Sequence, residues 1–298
     1  MAHACGKVIL LGEHAVVHGV PAIAAGIERG ATAQAERAAS TELSIDSVTA
    51  SPGDGSDLGR ALSALLAELG VTGVRIRASS ALPVGCGLGS SAALAVAVAR
   101  AVQDLEGSPS PERTLAAATA WEQVFHGNPS GIDTAAAIHG GCIWYTRQGG
   151  PVPLGLGRPL TLGVAVAGPA ASTKQMVESV AQLGQRRPEV FAKSLAGIES
   201  LVKNARLALE AGDLPGLGRL LDLNQMLLSG LMVSTEEIET ACRLARAAGA
   251  LGAKLTGAGG GGAVIALCDD DPEPVLAAWR QGGLTCFSTR VGAKADTP

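Results

Sequence analysis

The sequence predicts a two-domain α+β protein, and three observations predict it. Leu82 to Ala93 reads Leu-Pro-Val-Gly-Cys-Gly-Leu-Gly-Ser-Ser-Ala-Ala, a glycine-rich loop between the alternating strand Val74 to Ser80 and the Ala, Val and Leu-rich helix Ala92 to Leu105. Arg147 to Pro159 holds four glycines and three prolines, the composition of a crossing between domains. The last stretch alternates strand (Ala263 to Leu267), helix (Pro274 to Gln281) and strand (Cys286 to Val291), as an antiparallel sheet backed by helices does. The expected domains are residues 1–155, mixed α/β around the glycine loop, and residues 156–298, α+β. A chain of 298 residues that is 47 % apolar has the material for two cores.

Taken in order, Lys7 to Leu11 reads as a buried strand, and Gly12-Glu13-His14 then interrupts apolar sequence with ionisable groups. That interruption is either a turn with solvated side chains or the wall of a binding site. Ile23 to Ile27, Ala31 to Ala35 and Glu42 to Ile45 are short strands, and Ser51 to Ser56 is a loop by composition. A helix capped by Asp57 repeats leucine at 58, 62, 65, 66 and 69 and stops at Gly70. Ser110-Pro111 opens a helix that carries Glu122 near its end. His126-Gly127-Asn128-Pro129-Ser130-Gly131-Ile132-Asp133 breaks it, leaving Asp133 as either the cap of a short helix, Thr134 to Ile138, or a group with chemistry to do. Gly140 to Thr146 and Thr161 to Ala167 are strands, and Gly168 to Lys174 enters a helix. Pro188 to Ala211 and Leu214 to Leu228 are periodic helices, and Ser234-Thr235-Glu236-Glu237 is a capping box that opens one more, to about Ala248.

Composition excludes several functions. A net charge of −4 without a basic block leaves no footprint for nucleic acid or anionic lipid. No apolar run approaches the ~18 residues of a membrane span, and Val8 to Leu11 is too short for a signal segment, so a cytoplasmic setting is expected. The six cysteines (5, 86, 142, 242, 268, 286) lack any Cys-x-x-Cys spacing, which argues against a disulfide framework and a metal finger.

The glycine loop has a physical reading as a phosphate cradle. Glycines let backbone N–H groups turn inward, and a following helix offers free amides and the positive end of its dipole to an anion. A tight turn with a serine cap is the alternative. Gly257, Gly259 and Gly262, in Lys254 to Gly262, formally match the dinucleotide pattern, but they lead out of a helix into a strand, the reverse of that motif's context. No G-x-x-x-x-G-K-[S/T] occurs either.

Four segments together, Gly6 to Val17, Pro83 to Ala93, His126 to Asp133 and Lys254 to Gly262, resemble the GHMP kinase superfamily in order and spacing. Gly-Glu-His-Ala-Val-Val and His-Gly-Asn-Pro-Ser-Gly-Ile-Asp resemble its mevalonate branch. The resemblance implies a GHMP-kinase-like fold with a ferredoxin-like C-terminal domain, and ATP-dependent phosphorylation of the 5-hydroxyl of mevalonate. It implies that Pro83, Val84, Gly85, Cys86, Gly87, Leu88, Gly89, Ser90 and Ser91 wrap the ATP phosphates and that Ser91 and Glu122 hold Mg²⁺, a cation that takes hard oxygen ligands. Asp133 is expected to accept the proton of the attacking alcohol, with Lys7 neutralising charge on the transferring phosphoryl. Glu13, His14 and Thr173 are expected to bind the hydroxy acid, and Gly257, Gly259 and Gly260 to shape the cleft. Analogy adds a homodimer. Two residues depart from the pattern: Cys5 stands where proline is usual and Cys86 where Ala or Ser is common. The rivals are a sister kinase acting on homoserine or phosphomevalonate and a silent nucleotide sensor. A phosphorylated substrate would want an extra cluster of basic residues, and near the motifs the first half offers few, only Arg29, Arg75 and Arg77.

Overall fold

The computed structural model describes residues 1–127, 129–169 and 171–292, so Asn128 of the His126 to Asp133 motif and Ala170 lie outside the described residues. In chain order its elements are β1 (Ala2–Leu11), β2 (Ala22–Arg37), β3 (Glu42–Ile45), β4 (Val48–Ala50), α1 (Asp57–Leu69), β5 (Val74–Ser80), α2 (Ser90–Glu106), α3 (Pro111–His126), α4 (Ile132–His139), β6 (Cys142–Thr146) and β7 (Gly150–Pro153). There follow β8 (Leu160–Gly168), α5 (Thr173–Arg186), α6 (Pro188–Ala211), α7 (Leu214–Gly230), α8 (Glu236–Ala247), β9 (Gly252–Thr256), β10 (Gly262–Cys268), α9 (Glu273–Gln281) and β11 (Thr285–Val291). Packing gathers them into two units that interleave along the chain. The first holds residues 1–7, 28–84 and 89–140, and the second 8–27, 85–88 and 141 onward. A single cut at residue 155 does not reproduce this division.

In the first unit the later half of β2 pairs antiparallel with β5, β5 runs parallel to β3, and β4 closes the edge on β3. Helix α1 turns Leu62, Leu65, Leu66 and Leu69 inward, and α3 answers with Ala117, Ala118 and Trp121. Helix α2 is buried along most of its length through alanine and valine, small enough for neighbours to approach closely. The cap of α1 is Ser56, whose hydroxyl accepts the Gly59 N–H at 2.9 Å, and not Asp57. Ser56 has the extended backbone a cap needs, while Asp57 is already helical and pairs with Arg60.

In the second unit β11, β8, β10 and β9 form a sheet in that order, antiparallel throughout. With helices between β8 and β9 and α9 between β10 and β11, the order is the ferredoxin-like one that the family resemblance implies. β9 itself was not foreseen: the glycine run leaves a strand, so it closes a β-hairpin. The first residues of β2 pair with β6, and β6 with β7. β7 occupies part of the expected linker; its two prolines are tolerated because it is an edge strand. β2 is continuous where two strands were expected, since the exposed Glu28 and Arg29 break its apolar pattern without breaking the strand. No helix among the described residues is long and apolar enough to cross a membrane.

Candidate active site

The first unit assembles four of the expected residues. Lys7 stands in β1 directly before the apolar run Val8 to Leu11 and is 3 % exposed, and its Nζ lies 3.0 Å from Asp133 Oδ1, whose side chain is 38 % exposed. Asp133 is not a cap: Gly131 holds that position, which leaves the carboxylate in the first turn of α4, at the positive end of the helix dipole. Ser91, from the first turn of α2, donates its hydroxyl to Glu122 Oε1 on α3. Trp121 Nε1–H donates to the same Ser91 Oγ at 3.2 Å, and His126 Nε2 sits 3.6 Å from Glu122 Oε2. Burial pushes the Glu122 carboxyl up to about 7. The Ser91 hydrogen bond opposes the shift, the Asp133 charge adds to it and the Lys7 charge opposes it. Gly89 begins α2 with φ 74°, and a Cβ there would stand 2.8 Å from Lys7 Cγ, so a side chain at 89 would displace the lysine.

In the second unit, Gly85 to Leu88 packs backbone to backbone against the hairpin: a Cβ at Gly257 would lie 3.2 Å from the Gly87 carbonyl oxygen. Cys86 is buried and its thiol is pushed up by that burial, hence protonated and a poor nucleophile. Val84 points its side chain to solvent, Pro83 is half-buried and Leu88 is buried. Gly259 and Gly260 serve packing in this unit. The Gly260 N–H donates to the Val233 carbonyl at 2.8 Å, its carbonyl accepts from Ala171, and a Cβ at Gly259 would lie 2.2 Å from the Val233 oxygen. Thr256 reaches back to β1, where its hydroxyl accepts from Ile9 N at 2.7 Å and donates to Ile9 O at 3.2 Å.

Glu13 and His14 lie buried in this second unit. Glu13 Oε1 accepts from Lys254 Nζ, and Oε2 from Asn224 Nδ2 at 3.2 Å. His14 Nε2 meets the Ala258 carbonyl at 2.8 Å, and because a carbonyl only accepts, Nε2 carries the proton. Burial lowers the His14 pKa, so the ring is neutral and Nδ1 is a lone-pair acceptor, buried without a partner among the described residues. Thr173 stands exposed as the first residue of α5. Sequence reasoning gave no role to Lys254, Asn224, Trp121 or Thr256. For Lys254 the signal was a lone charge amid apolar neighbours, hidden because β9 was not recognised. A groove of about 370 Å³ elsewhere on the first unit is lined by none of these residues, and its Arg75 and Arg77 both lean on Glu36.

Residues 57–141 match the GHMP kinases N terminal domain and residues 205–283 the GHMP kinases C terminal family. A mevalonate kinase of Methanothermobacter thermautotrophicus is 36 % identical over 289 residues, covering 93 % of both chains, and one from Pyrococcus horikoshii is 35 % identical, covering 98 % of this chain and 95 % of its own. The chain belongs to the GHMP kinase family. Among solved structures, L. major mevalonate kinase in complex with R-mevalonate superposes with a TM-score of 0.87 at 32 % identity, covering 98 % of this chain and 96 % of that one. Methanococcus jannaschii mevalonate kinase, at 24 % identity and a TM-score of 0.83 over 98 % of both chains, extends the likeness in fold alone.

This arrangement offers groups that fit a phosphate and a hard cation. Helix α2 starts without a side-chain cap bond and without an acid in its first turn, which leaves its amides to an anion. The Ser91 hydroxyl and the Glu122 carboxylate, already in contact, are two hard oxygens of the kind Mg²⁺ prefers when phosphates supply the rest. No cluster of three or more His, Cys, Asp or Glu suited to a metal occurs among the described residues, so a cation here would depend on oxygens from its ligand.

Proposed function

We propose that this GHMP kinase transfers the terminal phosphoryl of ATP to the 5-hydroxyl of mevalonate. The observation that carries the reading is the Lys7–Asp133 pair, a buried ammonium against a carboxylate still open to a ligand. The alcohol oxygen attacks the γ-phosphorus, the bond from phosphorus to the ADP oxygen breaks, and Asp133 takes the alcohol's proton. Lys7 offsets charge gathering on the phosphoryl oxygens. The loop from Pro83 to Gly89, with Ser90 and the α2 amides, cradles the phosphates, and Ser91 with Glu122 would hold Mg²⁺, which would supply neutralisation of the phosphate charge. His14 and Thr173 take the alcohol side. No covalent intermediate is needed, because alignment and charge neutralisation supply most of such a rate.

Support for mevalonate comes from relatives of that name at 33–37 % identity and from the 32 %-identical L. major enzyme whose structure holds R-mevalonate. Similarity to phosphomevalonate kinase (18 %) and galactokinase (21 %) concerns the fold only. The test is ADP release with Mg²⁺-ATP and, in parallel, mevalonate, phosphomevalonate and homoserine. Turnover with mevalonate alone is expected, and preference for either other alcohol would overturn the assignment.

A further inference from the structure

Lys254 and Glu13 form an ion pair whose side chains are both 0 % exposed, between residues 241 apart in sequence. Lys254 Nζ also donates to the Leu255 carbonyl, and Asn224 holds the other carboxylate oxygen, so protein donors occupy both oxygens of Glu13. A carboxylate sealed in this way is poorly placed to grip a substrate that is itself a carboxylate, because the two like charges would repel. What the pair does hold is the backbone. His14 follows directly and has φ 59° and ψ −45°, a conformation that disfavours a residue with a Cβ and persists only where the surroundings impose it. Those surroundings are the two bonds to Glu13 on one side and the Ala258 carbonyl on the other. The result is a buried Nδ1 lone pair without a donor among the described residues.

We infer that Lys254, assisted by Asn224, is a positioning residue: through Glu13 it fixes the Gly12 to His14 turn so that His14 Nδ1 is presented to a hydroxyl of the bound alcohol. The inference rests on the reading that this cluster takes the alcohol, and it moves Glu13 from ligand contact to support. Buried ion pairs add little net stability against apolar replacements but are costly to break from one side, which gives the test its form.

Lys254→Met, Glu13→Gln and the double variant would be compared for Tm without substrate and for kcat and KM with mevalonate. Each single variant strands one buried polar partner and is expected to lose roughly 10 °C in Tm, with the double variant recovering most of it. In Lys254→Met and in the double variant, KM for mevalonate is expected to rise by at least about tenfold (about 1.4 kcal/mol) with kcat within about threefold of the parent. An unchanged KM in the double variant overturns the inference, as does a hundredfold fall in kcat at unchanged KM in Glu13→Gln. Should the parent not turn over mevalonate, the functional reading fails separately. The ¹⁵N resonance of His14 Nδ1 then decides: it is expected to be unprotonated in the parent and shifted in Lys254→Met, and identical spectra overturn the positioning role.

Discussion

Lys7 with Asp133 and Lys254 with Glu13 are the same chemical couple in two settings. In both, an ammonium from a strand meets a carboxylate distant in sequence. In the first unit the lysine is buried while the acid is more than a third exposed; in the second both are sealed. Exposure of the acid decides what each couple can act on. An accessible carboxylate can exchange a proton with a ligand, whereas an enclosed one can only hold the chain that carries it. Glu122 stands between these extremes, buried beside the open couple and raised toward neutrality by the loss of water.

Replacing the open acid should have the largest effect. Asp133→Asn is expected to lower kcat by roughly 10²–10⁴-fold, the range general-base removal spans, with nucleotide affinity within threefold. Near-normal turnover would erase the contrast between the couples.

Next comes Glu122→Gln, read by pH. Because the folded protein binds this proton more tightly than the unfolded chain, with a pKa of about 7 against an ordinary 4.5, the carboxyl's contribution to stability is fully present below about 4.5. It is lost as pH rises through about 7, and amounts to roughly 3 kcal/mol. Without Mg²⁺, the variant should therefore melt some ~5–10 °C above the parent at pH 8, with the gain fading toward pH 4.5. Its Mg²⁺ requirement should rise sharply. A Tm difference independent of pH would mean that burial of Glu122 costs nothing.

The smallest effect is expected at Trp121→Phe, which keeps an aromatic ring against Phe125 but removes the N–H that steadies Ser91. Losing one hydrogen bond of about 1 kcal/mol should raise the Mg²⁺ concentration for half-maximal rate about fivefold, with kcat at saturating Mg²⁺ preserved. An unchanged Mg²⁺ titration would assign the indole to packing alone.

What the sequence revealed follows the range over which each signal acts. The glycine loop, the helix after it and three strands of the C-terminal sheet were readable because a few adjacent residues decide them: Gly85 to Ser91, the alanines of α2, the strand and helix periods near the C-terminus; the ferredoxin-like order came only with the family resemblance. Lys7 and Asp133 were reached through segments whose spacing resembles a family, and they do meet. The partners of Glu13 were out of reach of the same route, since they lie 211 and 241 residues away and no local pattern announces them. β9 was missed because Gly252 and the buried Lys254 break the look of a strand, and β7 because its prolines mimic a linker. In each case a tertiary contact overrode what short-range propensity suggested.

The hydroxyl of Thr256, hooked to both the N–H and the carbonyl of Ile9, has a consequence for biosynthesis. These atoms are 247 positions apart, so at about 5–20 residues per second a ribosome releases the early segment roughly ten to fifty seconds before its mate exists. During that interval the greasy run from Val8 to Leu11 travels unclasped, and a nascent chain of this design stands to gain from a chaperone that shields it until translation reaches the hairpin.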